Sequence, residues 1–346
     1  MWELPEGCKL CEKGEKLVLF VTGLCKRGCY YCPLSDKRRD KDRVWANERL
    51  IKTTKDVLKE SSRMDAKGAG ITGGEPMIRF RRTLEYVTFL KSAFGRDFHI
   101  HLYTACASEK EKLENLKKAG LDEIRFHALN DGLWNTIEKS VDVGIETGVE
   151  IPAIPGEEKL ILDIVKRLKG FGGSFLNINE LEFSETNAKF LKEKGHVLKD
   201  KLSYAVKGSE ETAYKVLDSD IEFNVHYCSS FFKDAIQLKN RLFRTAKNTA
   251  KAYEEVTEEG LLFKGIIEVS SSDTAFGELK NIQQNLTKEF RIPENLLFLD
   301  KEKVRLETSV EIASFLSENY KPKGITLSVV EEYPTADRLE TLKIPL

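Results

Sequence analysis

Between residues 16 and about 190, six short apolar segments alternate with longer segments that have the periodicity of helices. Each short segment is rich in Val, Ile, Phe or Leu, and several end at Gly or Pro, which is typical of strands. Strands that alternate with helices pair in parallel through right-handed crossovers. The sequence therefore predicts an α/β fold, a partial (β/α)6 TIM-type barrel. Its predicted strands are residues 17–22, 68–72, 98–104, 123–128, 149–154 and 175–181.

This alternation ends near residue 198, which predicts three parts of the chain. Residues 1–15 carry Cys8 and Cys11 and are predicted to form an N-terminal metal-binding arm, and residues 16–198 to form the partial barrel. Residues 199–346 are predicted to form a smaller C-terminal α/β or α+β domain.

Within the C-terminal region, a helical pattern runs from residue 235 to 253 and three strand-like segments follow it. Thr308 and Glu311 have the spacing of a capping box, which predicts that a helix begins at Thr308. The predicted C-terminal strands are residues 261–269, 296–299 and 324–330.

The cysteines have the spacing of metal ligands. Seven cysteines occur in the chain, and five of them lie in the first 32 residues, unlike the even scatter of a disulfide framework. Cys25, Cys29 and Cys32 follow the first predicted strand. Three thiolates can hold a cubic iron–sulfur cluster that needs four ligands, which leaves one iron open to a substrate or cosubstrate. The alternative is structural zinc, which wants a fourth ligand close by.

A second motif, Gly73-Gly74-Glu75-Pro76, follows the second predicted strand. The two glycines let the backbone approach a ligand closely, and the Glu75 carboxylate can accept hydrogen bonds from an ammonium group. Barrels of this kind place their chemistry at the carboxyl ends of the strands. Both motifs are predicted to lie there.

With Tyr31 before the last cysteine, the Cys25, Cys29 and Cys32 motif resembles the signature of the radical S-adenosylmethionine superfamily. The spacing, together with Gly-Gly-Glu-Pro, resembles enzymes related to the pyruvate formate-lyase activating enzyme. The Cys8 and Cys11 pair and the closing segment 331–338 are similar to an archaeal group described by that relationship. The resemblance implies a [4Fe–4S] cluster that binds S-adenosylmethionine and, once reduced, cleaves it to a 5′-deoxyadenosyl radical. It also implies a one-electron reductant such as ferredoxin or flavodoxin.

The resemblance further implies which residues bind S-adenosylmethionine. The Gly-Gly-Glu-Pro segment would hold the methionyl amine, and the Tyr31 backbone would lie beside the adenine. Polar groups at the ends of later strands, and apolar backbone at the fifth, would hold the carboxylate, ribose and adenine. The residues implied are Tyr31, Gly73, Gly74, Glu75, Pro76, Thr104, Arg125, Ile154 and Asn177.

The remaining cysteines indicate a second metal site. Cys8 and Cys11, with His226 and Cys228, could complete a tetrahedral Cys3His site, for which zinc is preferred and an auxiliary iron–sulfur cluster is the second choice. The alternative is that His226 and Cys228 are an unrelated core pair. Cys106 is interpreted as a small buried residue on the third strand.

Two other functions remain open. A metal-stabilised module that binds RNA or protein without radical chemistry is one, although the formal net charge of −1 gives no global attraction to RNA. Activation of a glycyl-radical enzyme is the other, although segments 103–106 and 124–127 depart from the activase pattern. No apolar run approaches the ~20 residues that span a bilayer, and no secretory signal is evident, so a cytoplasmic location without membrane contact is expected. The substrate is not assigned.

Overall fold

The computed structural model describes residues 3–129, 131–270, 274–320 and 322–346, and the chain divides into two compact units. The first unit is Met1–Ser62 with Ala66–Leu238, and the second is Arg63–Asp65 with Lys239–Leu346. Within the described ranges, no helix combines the length and the apolar character needed to cross a membrane.

The first unit is built on a nine-stranded sheet in the order β3-β2-β1-β4-β5-β6-β7-β8-β9. From β1 to β9 along this order every pairing is parallel, whereas the short β2 and β3 pair antiparallel at the edge. The strands are β1 Lys16–Phe20, β2 Trp45–Ala46, β3 Arg49–Leu50, β4 Gly68–Thr72, β5 His99–Thr104, β6 Glu123–Phe126, β7 Glu146–Ala153, β8 Phe175–Glu180 and β9 Val225–Cys228.

All six predicted barrel strands are confirmed as β1 and β4 to β8. The strand β9 was not predicted, and it pairs in parallel with β8, so the parallel sheet continues past residue 198. The division between the two units therefore comes after Leu238, later than the predicted boundary.

Helices connect the parallel strands, and the helix before β8 shows how such a helix packs through an apolar stripe. In the helix before β8, Ile161, Ile164, Val165 and Leu168 are buried at the three- and four-residue spacing of one helical face. The helices of the first unit are α1 Glu6–Glu12, α2 Thr54–Arg63, α3 Phe80–Phe94, α4 Lys110–Ala119, α5 Trp134–Asp142, α6 Glu158–Gly170, α7 Ala188–Glu193, α8 Ser209–Leu217 and α9 Ser230–Phe232, with a π-helical turn at Lys233–Leu238.

The second unit is an α+β fold, because its strands all pair antiparallel. Five strands follow the order β12-β13-β11-β14-β15, and β10 pairs with β11. An apolar core that includes Leu279, Leu286 and Leu316 fills the space between the sheet and two helices. The elements are α10 Lys239–Thr249, β10 Glu255–Val256, β11 Leu262–Val269, α11 Ala275–Glu289, β12 Leu297–Asp300, β13 Arg305–Thr308, α12 Val310–Asn319, β14 Ile325–Glu332 and β15 Glu340–Pro345.

The helix α12 begins one residue later than the predicted capping box. Ser309 is the N-cap, and its hydroxyl oxygen accepts from the Ile312 backbone N–H at 3.3 Å. Thr308 is instead the last residue of β13, and its hydroxyl donates to the Leu296 carbonyl at 2.7 Å. The predicted cap at Thr308 is therefore wrong, because that hydroxyl is used by the sheet.

The face of this sheet away from the apolar core carries a buried ionic network. Lys264 donates to Glu332 at 3.1 Å, and Arg305 donates to Glu307 at 2.7 Å, with all four side chains almost fully buried. Burial alone would raise the pKa of Glu332, but Lys264, Arg305 and Arg338 hold it at about 2. The charged groups therefore satisfy one another within the second unit.

Candidate active site

The three closely spaced cysteines lie together on the loop that follows β1, residues 24–40, here called the cluster loop. The thiols of Cys25, Cys29 and Cys32 are free and partly exposed. Between them, Gly28 has a φ of 62°, a left-handed conformation that glycine adopts without strain. The Arg27 backbone N–H donates to the Cys25 sulfur at 3.4 Å. The loop therefore presents three available thiols at the carboxyl end of the first strand.

The base of the cluster loop is closed by backbone hydrogen bonds. Gly23 N–H donates to the Lys41 carbonyl at 2.8 Å, and Asp40 N–H donates to the Gly23 carbonyl at 3.0 Å. A Cβ atom at Gly23 would lie 1.8 Å from the Arg38 carbonyl oxygen. Only glycine fits this position without moving the backbone.

Ion pairs of Asp42 also stabilise the ends of the cluster loop. Its carboxylate accepts from Thr22 at 2.8 Å, from Arg82 at 2.6 Å and from Arg79 at 2.9 Å. The hydrogen bond from Arg82, helped by those from Thr22 and Arg79, lowers the pKa of Asp42 to about 2. Arg82 also donates to the Val21 carbonyl at 2.8 Å, which ties α3 to the end of β1.

The Gly-Gly-Glu-Pro segment after β4 interlocks with the start of the cluster loop. Gly74 N–H donates to the Thr22 carbonyl at 2.7 Å, and Glu75 N–H donates to the Leu24 carbonyl at 2.8 Å. A Cβ atom at Gly73 would lie 2.5 Å from the Thr22 carbonyl oxygen, and one at Gly74 would lie 2.6 Å from that of Leu24. The two glycines therefore permit the two strand-end segments to approach each other.

The Glu75 side chain is buried and connects the ends of β4 and β5. Its Oε1 accepts from Met77 N–H at 2.9 Å and from the Thr104 hydroxyl at 2.8 Å, and its Oε2 accepts from Ala105 N–H at 2.7 Å. Three of the roughly four acceptor positions of the carboxylate are thus filled by the protein. Pro76, next in the chain, begins a short 3-10 turn and is also buried.

Tyr31 contacts a histidine that sequence reasoning did not assign to the site. Its hydroxyl lies 2.7 Å from His127 Nε2, while His127 Nδ1 lies 3.1 Å from the Glu150 carbonyl. Because a carbonyl oxygen only accepts, His127 Nδ1 carries the hydrogen, and Nε2 accepts from Tyr31. Burial lowers the pKa of His127, which keeps the ring neutral. The Tyr31 carbonyl accepts from the Asn187 side chain at 3.0 Å.

The other residues predicted to bind the cosubstrate fall into two groups, one near strand ends and one in the interior. Thr104 ends β5, and the partly buried Ile154 follows β7, as strand-end residues would. Asn177 lies in the middle of β8 and is buried. Arg125 is also buried, and its guanidinium donates to Glu150 at 2.7 Å and to Glu123. The structure thus places Asn177 and Arg125 among interior polar groups, unlike the strand-end groups that were predicted.

Cys106 is not on the third barrel strand, as was predicted, but two residues after the end of β5. It is half-buried, and its backbone N–H donates to the Thr104 hydroxyl oxygen at 3.1 Å. Burial, followed by the neighbouring Glu75 charge, raises its pKa to about 11. This thiol therefore lies at the same end of the barrel as the cluster loop.

Cys8 and Cys228 of the predicted Cys3His site each contact a polar side chain. The Cys8 thiol accepts from Arg125 at 3.4 Å, and the Cys228 thiol accepts from the Gln237 amide at 3.6 Å. Burial raises the pKa of Cys8 to about 12 and that of Cys228 to about 11. No three ligand atoms of Cys8, Cys11, His226 and Cys228, all of which the structure describes, lie within 4.8 Å of one another.

The ligand atoms that do meet this distance belong to another set, His99, His101 and Glu123. His99 and His101 lie on β5, and Glu123 is the first residue of β6. Burial is the main reason that the pKa of each histidine is lowered, and both rings are therefore neutral. Sequence reasoning missed this set, although the His-x-His spacing of a strand places both rings on one face.

The donor set of the cluster loop suits an iron–sulfur cluster. Its three thiols, Cys25, Cys29 and Cys32, are free and partly exposed. Cysteine thiolates are the ligands by which proteins hold iron–sulfur clusters, so these three residues would be the ligands.

Comparison with solved structures finds similar folds at low sequence identity. SuiB of Streptococcus suis, bound to S-adenosylmethionine, has a TM-score of 0.44 and 14% identity over 64% of this chain and 53% of that chain. The chain thus spans about half the length of SuiB. Methylornithine synthase (PylB) has a TM-score of 0.41 and 11% identity over 62% of this chain and 69% of that chain.

Comparison of sequences gives a closer relationship. Residues 260–346 match a domain of unknown function (DUF8061), and residues 19–130 match the Radical SAM superfamily. The protein MJ0021 of Methanocaldococcus jannaschii, provisionally named a glycyl-radical enzyme activating enzyme, is 43% identical over 357 residues, covering 99% of this chain and 93% of that protein. With this relative across its whole length and the family match over its cluster loop, the chain belongs to the radical S-adenosylmethionine superfamily and is an enzyme.

Proposed function

We propose that Cys25, Cys29 and Cys32 hold a [4Fe–4S] cluster and that the adjoining strand ends bind S-adenosylmethionine. When bound and reduced by one electron, the cluster supplies reductive cleavage of S-adenosylmethionine to a 5′-deoxyadenosyl radical and methionine. The single observation that carries this proposal is the interlock of the cluster loop with Gly74 and Glu75. That interlock joins the three thiols to the segment proposed to receive the methionyl amine.

In this proposal the Gly73–Pro76 segment acts through its backbone. The Glu75 carboxylate is buried and accepts three hydrogen bonds from Met77, Thr104 and Ala105, so its main effect is to fix the shape of the segment. The backbone carbonyls of the segment are then the acceptors for an ammonium group. Glycine at two positions leaves this backbone accessible to a ligand.

Tyr31 is proposed to position the adenine through its backbone. Two hydrogen bonds hold the residue. Its hydroxyl donates to His127, and its backbone carbonyl accepts from the Asn187 side chain. A residue that is held through both its side chain and its backbone loses little further conformational freedom when a ligand binds. Thr104 and Ile154 stay proposed contacts at neighbouring strand ends, whereas Arg125 and Asn177 are proposed to support the barrel interior.

The test is formation of 5′-deoxyadenosine by the anaerobically purified and reconstituted enzyme. Wild type reduced with dithionite in the presence of S-adenosylmethionine is expected to form it, and Cys29→Ala is expected to form none. Cys228→Ser is the matched control, because it also removes a thiol but lies outside the cluster loop. Equal yields from wild type and Cys29→Ala would refute the proposal and favour a metal-stabilised binding module instead.

The electron is proposed to come from a ferredoxin or a flavodoxin. The thiols of the cluster loop are partly exposed, so a protein donor can approach the cluster without opening the barrel. Replacing dithionite with a reduced ferredoxin or flavodoxin should sustain 5′-deoxyadenosine formation. A zinc ion at Cys8, Cys11, His226 and Cys228 stays a prediction from the sequence.

Activation of a glycyl-radical enzyme is a second candidate, supported by the name of the M. jannaschii relative. Electron paramagnetic resonance of a purified glycyl-radical enzyme incubated with this enzyme and S-adenosylmethionine tests it. A glycyl radical that requires Cys29 would support activation, and 5′-deoxyadenosine without a glycyl radical would favour a different substrate.

A further inference from the structure

The segment that carries the cluster loop has a large excess of positive charge. Residues 26–43 contain seven Lys and Arg residues and three Asp residues, a net charge of +4, although the whole chain has a net charge of −1. One of the three acids, Asp42, is already paired with Arg79 and Arg82. Five of the seven basic side chains are exposed and are here called the basic patch. They are Lys26, Arg27, Lys37, Lys41 and Arg43.

The charges of the basic patch are not neutralised by carboxylates. Among the described residues, none of its five side chains forms an ion pair. Arg27 donates instead to the His127 carbonyl at 3.4 Å. Lys41 donates to the Asp36 carbonyl at 2.8 Å. A backbone carbonyl holds a cation in place but does not cancel its charge, so the patch stays positive.

The basic patch adjoins the three proposed cluster ligands. Residues 26 and 27 lie in the chain between Cys25 and Cys29. Arg39, from the same basic segment, donates to the Cys32 carbonyl at 3.1 Å. The three thiols are themselves partly exposed. A protein that covers the patch would therefore lie next to the residues that hold the cluster.

A positive surface beside a redox centre favours a partner of opposite charge. Complementary charges steer two proteins together, and electron-transfer interfaces are small, so a few charges have a large effect. Iron–sulfur carriers include proteins of very low reduction potential, which suits the reduction of another cluster. We propose that the basic patch is the docking surface for an acidic ferredoxin.

The proposed step is a single electron transfer. The reduced ferredoxin loses one electron, the cluster gains it, and no atom or proton is exchanged. This inference rests on the proposed function, and it assigns the surface that the electron donor uses.

RNA is the other partner that basic surfaces attract. Proteins that bind single-stranded RNA usually add aromatic side chains on which the bases stack. The ring that Lys37 contacts belongs to Trp45, with the Lys37 nitrogen 5.0 Å from the ring centre. Trp45 is only 5% exposed, so its ring is not available to a base. The basic patch therefore fits an acidic protein better than it fits RNA.

Direct binding of ferredoxin to the reconstituted holoenzyme tests the proposal without turnover. The probe is a purified acidic ferredoxin in its oxidised form, titrated by isothermal calorimetry in about 50 mM salt. The double variant Lys37→Glu with Arg43→Glu is expected to bind it about tenfold more weakly than wild type, or weaker still. Lys166→Glu with Lys169→Glu is the matched control, because it reverses two exposed charges on α6. This control should bind within about twofold of wild type.

Salt dependence gives a second measurement that needs no variant. Raising the salt concentration from about 50 to about 300 mM should weaken wild-type binding about tenfold, because salt screens exposed charges. The double variant should show a smaller salt effect. If the double variant fails to fold, the salt dependence of wild type decides.

Formation of 5′-deoxyadenosine separates this inference from the proposed function. Dithionite is a small reductant that needs no docking surface, so the double variant should form product at a rate within about twofold of wild type. With ferredoxin reduced beforehand and freed of dithionite, the double variant should be about tenfold slower. No product from wild type with dithionite would refute the proposed function. Product with dithionite, but no binding of ferredoxin to wild type, would refute this inference alone.

Four binding results would overturn the proposal. One is a double variant that binds ferredoxin within about twofold of wild type. Another is an equal loss of binding in the α6 control, and a third is wild-type binding that does not change with salt. The fourth is wild type that binds a random-sequence RNA but not ferredoxin, which would favour an RNA site instead.

Discussion

Replacement of Glu75 by Gln separates a structural role from a role in binding the cosubstrate amine. The carboxylate accepts from Met77 N–H, the Thr104 hydroxyl and Ala105 N–H. A Gln amide keeps one acceptor oxygen, so at least one backbone N–H would face an NH2 group. Hydrogen bonds to a charged group are each worth about 1.5–3 kcal/mol. Loss of one such bond, with weakening of the other two, is expected to cost about 3 kcal/mol.

The assay is differential scanning calorimetry of the reconstituted enzyme, with S-adenosylmethionine affinity measured on the same samples. For a unit of this size, 1 kcal/mol corresponds to about 2–4 °C in melting temperature, so Glu75→Gln is expected to melt about 6–12 °C lower. Thr104→Val removes one donor to the same carboxylate and is expected to produce a smaller decrease, about 1–2 kcal/mol. The two effects should not add, because both residues belong to one network.

The opposite result would refute this reasoning. A Glu75→Gln enzyme that melts within 2 °C of wild type but binds S-adenosylmethionine at least tenfold more weakly would show that the carboxylate binds the amine directly. The hydrogen bonds from Met77 and Ala105 would then be incidental to the fold.

Three other predictions concern the same end of the barrel. Gly74→Ala should bind less than half of the wild-type iron, since its Cβ would lie 2.6 Å from the carbonyl oxygen of Leu24 in the cluster loop. The control Gly170→Ala, whose Cβ would meet no atom within 4 Å, should bind as much iron as wild type. Equal iron contents in the two variants would contradict the interlock. The pKa of Asp42 is lowered to about 2, so its stabilising effect is present above about pH 4 and is lost as pH falls towards 2. The melting temperature of Asp42→Asn should therefore fall less than that of wild type between about pH 4 and pH 2. If melting temperature depends on pH in the same way for both proteins, Asp42 does not contribute to stability in this range. Tyr31→Phe should keep its S-adenosylmethionine affinity within about twofold and lose about 1 kcal/mol of stability, and a large loss of affinity would show that the hydroxyl contacts the ligand.

The sequence predicted those parts of the fold that depend on local pattern. The apolar periodicity of β1 and β4 to β8 and the glycines of the Gly-Gly-Glu-Pro segment were sufficient to place the cluster loop at the strand ends. The strand β9 was missed because its four residues, which include His226, alternate too briefly to give a period. Its addition to the sheet is a long-range event that no local pattern encodes.

The interior of the barrel could not be predicted for a different reason. Lys16, Glu123 and Arg125 are charged, and charged side chains are normally interpreted as surface groups. Here they are almost fully buried, and Arg125 pairs with Glu123 on its own strand and with Glu150 on β7. For this reason Arg125 was predicted to lie at the strand end as a ligand group, and the His99, His101 and Glu123 set was missed.

The buried ionic network of the second unit has a consequence for how this sheet can change during evolution. Removing one member of such a network leaves the charges of its neighbours buried and unpaired, which costs about 3–5 kcal/mol. Replacing the whole set by apolar groups is often neutral. Lys264, Arg305, Glu307 and Glu332 share their hydrogen bonds. Single substitutions at these positions should therefore be rare among related sequences. Where substitutions are found, they should occur at several of these positions together.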